Sequence, residues 1–133
     1  MKVLSIDHLV LNVSDVDAAA DWYGRALGMV REDYAPGAGT PIRTSLRFGS
    51  QKINLRPVSA AQSEWFTGRS PQAGSDDLCF LVDADPDTVV SHLNELGIDI
   101  ELGPVDKRGA QGAIRSVYCR DPDGNLVELS TYL

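Results

Sequence analysis

The chain predicts an α+β fold in which two pseudo-symmetric β-α-β-β-β modules build a curved sheet, a cup, with the helices outside. Three features of the 133-residue sequence carry that expectation. The first is an internal repeat. Asp7-His8-Leu9-Val10-Leu11 returns 69 positions later as Asp76-Asp77-Leu78-Cys79-Phe80, and Leu27-Gly28-Met29 returns at the same offset as Leu96-Gly97-Ile98. Further on the spacing loosens: Ser45-Leu46-Arg47-Phe48 is answered by Ser116-Val117-Tyr118-Cys119, and Ile53-Asn54-Leu55 by Val127-Glu128-Leu129. A duplicated supersecondary unit implies a fold of matching halves. The second feature is the order of periodicities in each half, where strand-like alternation gives way to helical spacing and then to three more strand runs. The third is punctuation. Glycine follows each helical stretch, and a tight turn separates the last two strand runs of each half. The length suits one domain, 1–133, made of modules about 1–58 and 74–133 joined by a connector, 59–73.

The elements follow in order. Residues 5–13 alternate through Leu9, Val10, Leu11 and Val13 and read as a strand. Ser14 is expected to cap a helix, with Asp15 and Asp17 where the helix dipole favours negative charge. Val16, Ala19, Ala20, Tyr23 and Leu27 then fall on one face. Gly28 supplies the left-handed stop. A strand over 29–34, a loop through Ala35-Pro36-Gly37-Ala38-Gly39, and strands over 43–48 and 51–57 joined at Gly49-Ser50 complete the half. The second half predicts a strand over 77–82 and a helix opened by Asp85-Pro86-Asp87. That helix buries Val89, Leu93 and Leu96 and ends at Gly97. A strand near 98–102 is expected next, then a Lys/Arg/Gly loop from Gly103 to Gly112, whose Gly-rich part over 107–112 reads as a mobile lid. Strands over 114–120 and 125–132 follow, turned at Asp121-Pro122-Asp123-Gly124-Asn125. In the connector, Trp65 and Phe66 are expected to act as a hydrophobic anchor.

Composition excludes several classes of function. Twelve basic against nineteen acidic residues give a net charge of −7, which disfavours nucleic acid and anionic membrane as partners. No apolar run approaches the roughly 20 residues of a membrane span. The N-terminus meets Asp7 and His8 too early for a secretory apolar core. Cys79 and Cys119 lie in strand runs without metal-knuckle spacing and read as two buried, reduced thiols, which suits a cytoplasmic protein.

Strand alternation sorts the side chains. The set Leu9, Leu11 and Val13 must meet the helix, so His8 faces away from it. By the same rule Asp77, Asn54 and Glu128 lie opposite the helix-facing sets of their own strands. The four therefore share the face away from the helices, the inside of the expected cup. Arg43, Ser45, Arg47, Ser116, Tyr118 and Arg120 join them there. Cations and hydroxyls directed at a pocket suit an anionic ligand. Arg47, Arg56, Tyr118 and Arg120 are candidate substrate contacts, with ion pairing to Asp or Glu as the structural alternative. Asn54 is a substrate contact or a structural amide. His92 belongs on the flank of the second helix, off the cup.

With His8 on the first strand, a Glu in the last and paired β-α-β-β-β units, the whole chain resembles the vicinal-oxygen-chelate superfamily. That superfamily includes glyoxalase I, the bleomycin and fosfomycin resistance proteins and the extradiol dioxygenases. The resemblance is carried by Ile6-Asp7-His8-Leu9-Val10, Phe48-Gly49-Ser50-Gln51-Lys52-Ile53-Asn54-Leu55, Gly74-Ser75-Asp76-Asp77-Leu78-Cys79, Gly103-Pro104, Gly109-Ala110-Gln111-Gly112 and the run Tyr118 to Glu128. It is closest to the subgroup of glyoxalase-domain-containing protein five and related virulence-associated proteins. The resemblance implies a divalent metal held by His8, Asp77 and Glu128, with Asp77 where most metal-binding members have a second histidine. Asn54 stands where glyoxalase I has a carboxylate. These two departures speak against ordinary glyoxalase I activity. A set of one imidazole and two carboxylates favours Mn, Fe, Co, Ni or Mg, with Zn also admissible.

The function expected is a metal-dependent lyase or isomerase acting on a small oxygenated, anionic molecule, with no base named by the sequence. The alternative is a metal-free protein that binds and sequesters a small molecule, as the bleomycin-resistance relatives do. Ring-cleaving dioxygenase chemistry wants two histidines with one carboxylate, and Asp77 argues against it. Relatives of this size commonly pair two chains, so a homodimer is expected.

Overall fold

The computed structural model describes all residues from Met1 to Leu133. They divide into two compact units, Met1–Gly74 and Ser75–Leu133. The first contains β1 (His8–Val13), α1 (Val16–Leu27), β2 (Val30–Tyr34), β3 (Arg43–Phe48) and β4 (Gln51–Pro57). The second repeats the order with β5 (Asp77–Leu81), α2 (Pro86–Glu95), β6 (Leu102–Gly109), β7 (Gly112–Arg120) and β8 (Leu126–Tyr132). Each unit carries a four-stranded mixed sheet, ordered β1-β4-β3-β2 and β5-β8-β7-β6, so neither closes into a barrel. No helix is long and apolar enough to cross a membrane.

In the first unit α1 begins at Asp15 rather than Ser14. The Asp15 carboxylate accepts from the Ala18 amide at 3.0 Å, placing a charged acceptor at the positive end of the helix. Gly28, at φ 66°, ends it. Alanines 19, 20 and 26 let the helix lie close to the sheet, where Tyr23, Leu11, Val13, Leu46, Ile53 and Leu55 are wholly buried. Each such aliphatic side chain contributes about 1.5–3 kcal/mol by leaving water. In the second unit Asp85 caps α2 by accepting from Thr88, and Val89 and Leu93 pack toward Val117, Cys119, Val127 and Leu129.

The strand registers test the repeat. Val10 lies opposite Asn54 in β1 and β4, and Cys79 lies opposite Glu128 in β5 and β8. His8 and Asp77 therefore hold equivalent places in their own units, as do Asn54 and Glu128. The third strands differ from expectation. Asn54 faces Ser45, whereas Glu128 faces Tyr118, so Ser45 corresponds to Tyr118 and Arg47 to Arg120, not Ser45 to Ser116. Ser45 and Ser116 are similar residues two positions apart in register on the same strand face; alternation preserves facing but not register.

The largest departure concerns residues 98–112. No strand forms over 98–100; β6 starts at Leu102 and runs to Gly109, through what was read as a loop. Only Ala110 and Gln111 separate β6 from β7, and the Gln111 amide donates to the Tyr132 hydroxyl at 3.1 Å. The lid reading is corrected to a hairpin whose tip is tied to β8. Pairing with β7 outweighs the glycine and charge content that suggested a loop. A register shift between Leu102 and Val105 holds the cis Gly103-Pro104 bond. Gly103 has φ 110°, and a Cβ there would run into the Ser116 carbonyl oxygen and reach Val117 Cα at 3.0 Å. Gly103→Ala is expected to cost about 2 kcal/mol by combining left-handed strain with a backbone collision. Gly68→Ala, with open space and no positive φ, should leave the urea midpoint nearly unchanged.

The stretch 59–73 belongs to the first unit. Trp65 anchors it as expected, lying under the Arg43 guanidinium at 4.3 Å. Phe66 does not, being 88% exposed.

Candidate functional site

Each unit presents one sheet face to its helix and leaves the other open. The open face of the first unit is set by pairing. His8, Val10 and Asn12 on β1 adjoin Lys52, Asn54 and Arg56 on β4, which adjoin Arg47, Ser45 and Arg43 on β3. His8 is about half exposed, its side chain at 45%, and its Nδ1 lies 2.7 Å from the Asp7 carboxylate. That hydrogen bond, then the imidazole's charge, holds the Asp7 carboxyl below its ordinary pKa. A carboxylate on one imidazole nitrogen orients the ring and leaves the Nε2 lone pair to coordinate a metal ion or accept a hydrogen bond. Asn54 spends its carbonyl oxygen on the Ser45 hydroxyl at 2.8 Å. Arg47 is exposed and pairs with Glu32 at 3.5 Å.

Arg56 is fully buried. Its guanidinium donates to Asn12 Oδ1 at 2.9 Å and to the carbonyl oxygens of Trp65 at 3.1 Å, Pro57 at 3.4 Å and Ala60 at 2.6 Å. These bonds occupy the side chain in fastening the segment after β4, which is the work the structure gives it.

The second unit gathers more chemistry. Glu128, central on β8, accepts from the Ser116 hydroxyl at 2.6 Å and from Ser130 at 3.3 Å. Tyr118 on β7 and Cys79 on β5 lie opposite it in the strand pairing. Burial alone would raise its pKa, but donation from Ser116, Tyr118, Ser130 and Cys79 outweighs burial and holds the carboxyl below its ordinary value. Burial first, and then Glu128, push the Tyr118 phenol up to about 12, so at neutral pH Tyr118 is a proton donor. Cys79 was expected to be buried, but it is exposed, on the open face that β5 does not turn to the helix; Cys119 is buried as expected. Although the residue is exposed, partial desolvation of its sulfur, offset in part by the Ser130 hydroxyl, raises the Cys79 thiol. Asp77 is exposed at the start of β5. Arg120 pairs with Glu101 at 2.9 Å and also donates to the Gly124 carbonyl at 3.2 Å.

A cavity of about 440 Å³ opens on this face, lined by Cys79, Tyr118 and Glu128 together with Leu81, Ile114, Tyr132 and the β6 cation Lys107. Lys107 was missed because its segment read as a loop; the alternation Val105-Asp106-Lys107 was the signal for a strand. Of the residues singled out in the sequence, the structure brings Glu128 and Tyr118 together in the second unit. In the first unit it sets Asn54 beside Ser45, ties Arg56 into the backbone and gives His8 to Asp7. Nowhere do three His, Cys, Asp or Glu side chains cluster as a ready metal cage. The donor types themselves suit a hard divalent cation: an oriented imidazole, an exposed carboxylate and a carboxylate kept anionic.

The model of the glyoxalase/bleomycin resistance protein/dioxygenase superfamily matches residues 5–129. The chain belongs to this superfamily. It is 43% identical over 134 residues to the glyoxalase domain-containing protein RDO1 of Mycosarcoma maydis, covering 99% of this chain and 70% of that protein. Virulence protein STM3117 of Salmonella typhimurium is 42% identical over 135 residues, covering 100% of this chain and 88% of that one. The crystal structure of STM3117 covers 100% of both chains with a TM-score of 0.89. The integron cassette protein VCH_CASS1 from the mobile metagenome of V. cholerae is 43% identical, with a TM-score of 0.88 and coverage of 100% of this chain and 98% of that one. The superfamily includes metal-dependent glyoxalases and metal-free bleomycin-binding proteins, so membership establishes the scaffold and leaves the chemistry to the open faces.

Proposed function

We propose that this superfamily member is a metal-dependent enzyme of the lyase or isomerase type acting on a small oxygenated, anionic molecule. The observation that supports it most is Glu128, a carboxylate kept anionic on an open sheet face by hydroxyl donors, at the strand position equivalent to Asn54. In this reading His8, Asp77 and Glu128 serve as ligands to a divalent ion, with Mn, Fe, Co, Ni or Mg preferred over Zn. Bound there, the ion would supply Lewis acidity to a substrate oxygen beside a carbonyl. The chain's own contributions are separate. Ser116 and Ser130 fix the Glu128 carboxylate, Asp7 fixes the His8 ring, and Tyr118 offers a proton at neutral pH. Asn54, Arg47 and Arg120 remain proposed substrate contacts, reached once substrate displaces their present partners. Arg56 is proposed to brace the open face of the first unit through its bond to Asn12.

The rival reading is a metal-free protein that sequesters its ligand. It is favoured by the two serine hydroxyls that already engage Glu128. Elemental analysis of protein purified without chelator separates the two. About one equivalent of metal per chain, lost in His8→Ala and retained in His92→Ala, supports the enzyme. No stoichiometric metal, with no rise in melting temperature on adding Mn, Ni, Co, Fe or Zn, overturns it and leaves the binding protein. Superfamily members often form dimers, and we propose a cytoplasmic homodimer with two sites; a monomer by light scattering would count against the pairing.

A further inference from the structure

We propose that Lys107 makes the cavity of the second unit a receptor for a small carboxylate with an apolar body, the carboxylate set against the ammonium. This rests on the reading of that open face as a ligand site but not on a metal. Seven of the twelve cations of this acidic chain already have an oxygen partner, Arg43 and Arg56 donating to carbonyl oxygens. Arg25, Arg31, Arg47, Arg115 and Arg120 each pair with a carboxylate. Lys107 pairs with none: its ammonium lies 5.9 Å from the centre of the Tyr118 ring. Its neighbour Asp106 is taken by Arg115 at 2.6 Å. Register places Lys107 opposite Ile114, on the face that carries Tyr118 and Glu128, and it lines the 440 Å³ cavity with them.

The other walls choose the rest of the ligand. Leu81 is 61% exposed, so an apolar group covering it removes hydrocarbon from water. Ile114 is buried, and the Tyr132 hydroxyl is occupied by the Gln111 amide, which leaves its ring as the available surface. Glu128 repels an anion at its end of the cavity, which sends the ligand's charge toward Lys107 and Arg108 and its body toward Leu81 and Ile114. The volume lies within the roughly 300–1,000 Å³ common for small-molecule pockets. A carboxylate with a ring-sized body fits these terms; a bare oxyanion leaves the apolar wall uncovered.

The test uses the full chain after exhaustive dialysis against chelator, with benzoate, benzamide and inorganic phosphate as probes in NMR titrations. Wild type is expected to bind benzoate and to take neither benzamide nor phosphate comparably. Lys107→Met keeps the apolar stem and should weaken benzoate at least about tenfold, the loss of one charge-assisted contact. Lys107→Arg should keep most of the affinity, and Lys2→Met all of it. The proposal is overturned if benzoate does not bind, if Lys107→Met binds it as wild type does, or if benzamide or phosphate binds as well as benzoate. Metal content reports separately. Protein that carries metal but ignores benzoate sinks this inference alone, while benzoate bound through Lys107 by protein that takes no metal sinks only the metalloenzyme.

Discussion

Replacing Arg56 with methionine is expected to cost the fold about 3–5 kcal/mol, seen as a large fall in the urea midpoint. The side chain is wholly buried and serves four oxygen acceptors: Asn12 Oδ1 and the carbonyls of Trp65, Pro57 and Ala60. Methionine fills most of the volume but donates nothing. Each stranded acceptor costs about 1–3 kcal/mol, and relief from burying the guanidinium returns part of the sum. Arg56→Lys should recover only part, since an ammonium lacks the planar fork that reaches several carbonyls at once. Arg47→Met is the comparison. Its exposed pair with Glu32 at 3.5 Å is worth no more than about 1 kcal/mol. Equal losses in the two variants would show that the Arg56 network does not hold the segment after β4.

Changing Glu128 is expected to have the largest effect on function and a distinct signature in acid. Under the proposed assignment, Glu128→Ala should lower metal affinity by more than the roughly 10–100-fold that loss of a ligand's hydrogen-bond partner costs. The acid behaviour does not depend on metal. The folded carboxyl titrates below its ordinary value near 4.5, so the anion's hydrogen bonds stabilise the native state fully above that pH. The contribution is lost as pH falls through the lower, folded pKa. Wild type, freed of metal, should therefore lose stability in that window, and Glu128→Gln should lose less there. Parallel pH profiles for the two proteins would rule out the hydroxyl-held carboxylate. Metal retained by Glu128→Ala would remove Glu128 from the ligand set without disturbing that conclusion.

The readable parts of this chain were those in which local chemistry and tertiary packing agree. Helix α2 announced itself through Asp85 and Pro86, and β3 and β4 through the turn at Gly49-Ser50. The equivalence of His8 with Asp77 and of Asn54 with Glu128 came from the repeat and was upheld by strand pairing. Errors arose where a partner only a few residues away is set by folding rather than by local composition. The stretch 102–109 looks like a loop until β7 pairs with it. Arg56 looks like a pocket cation until carbonyls from the following segment close around it.

Sequence alone determined the α+β order of each half, the facing of Glu128, Asp77, Asn54 and His8, and the family resemblance, because a period of two and a duplicated pattern are properties of neighbouring residues. Tertiary structure decided which of those side chains are free to act. It assigned Arg56 to the backbone, tied Glu128 to Ser116 and Ser130, and brought Lys107 onto the open face. Hydrogen bonding and ion pairing depend on distances of about 3 Å that neither composition nor periodicity fixes. Only the folded chain sets those distances.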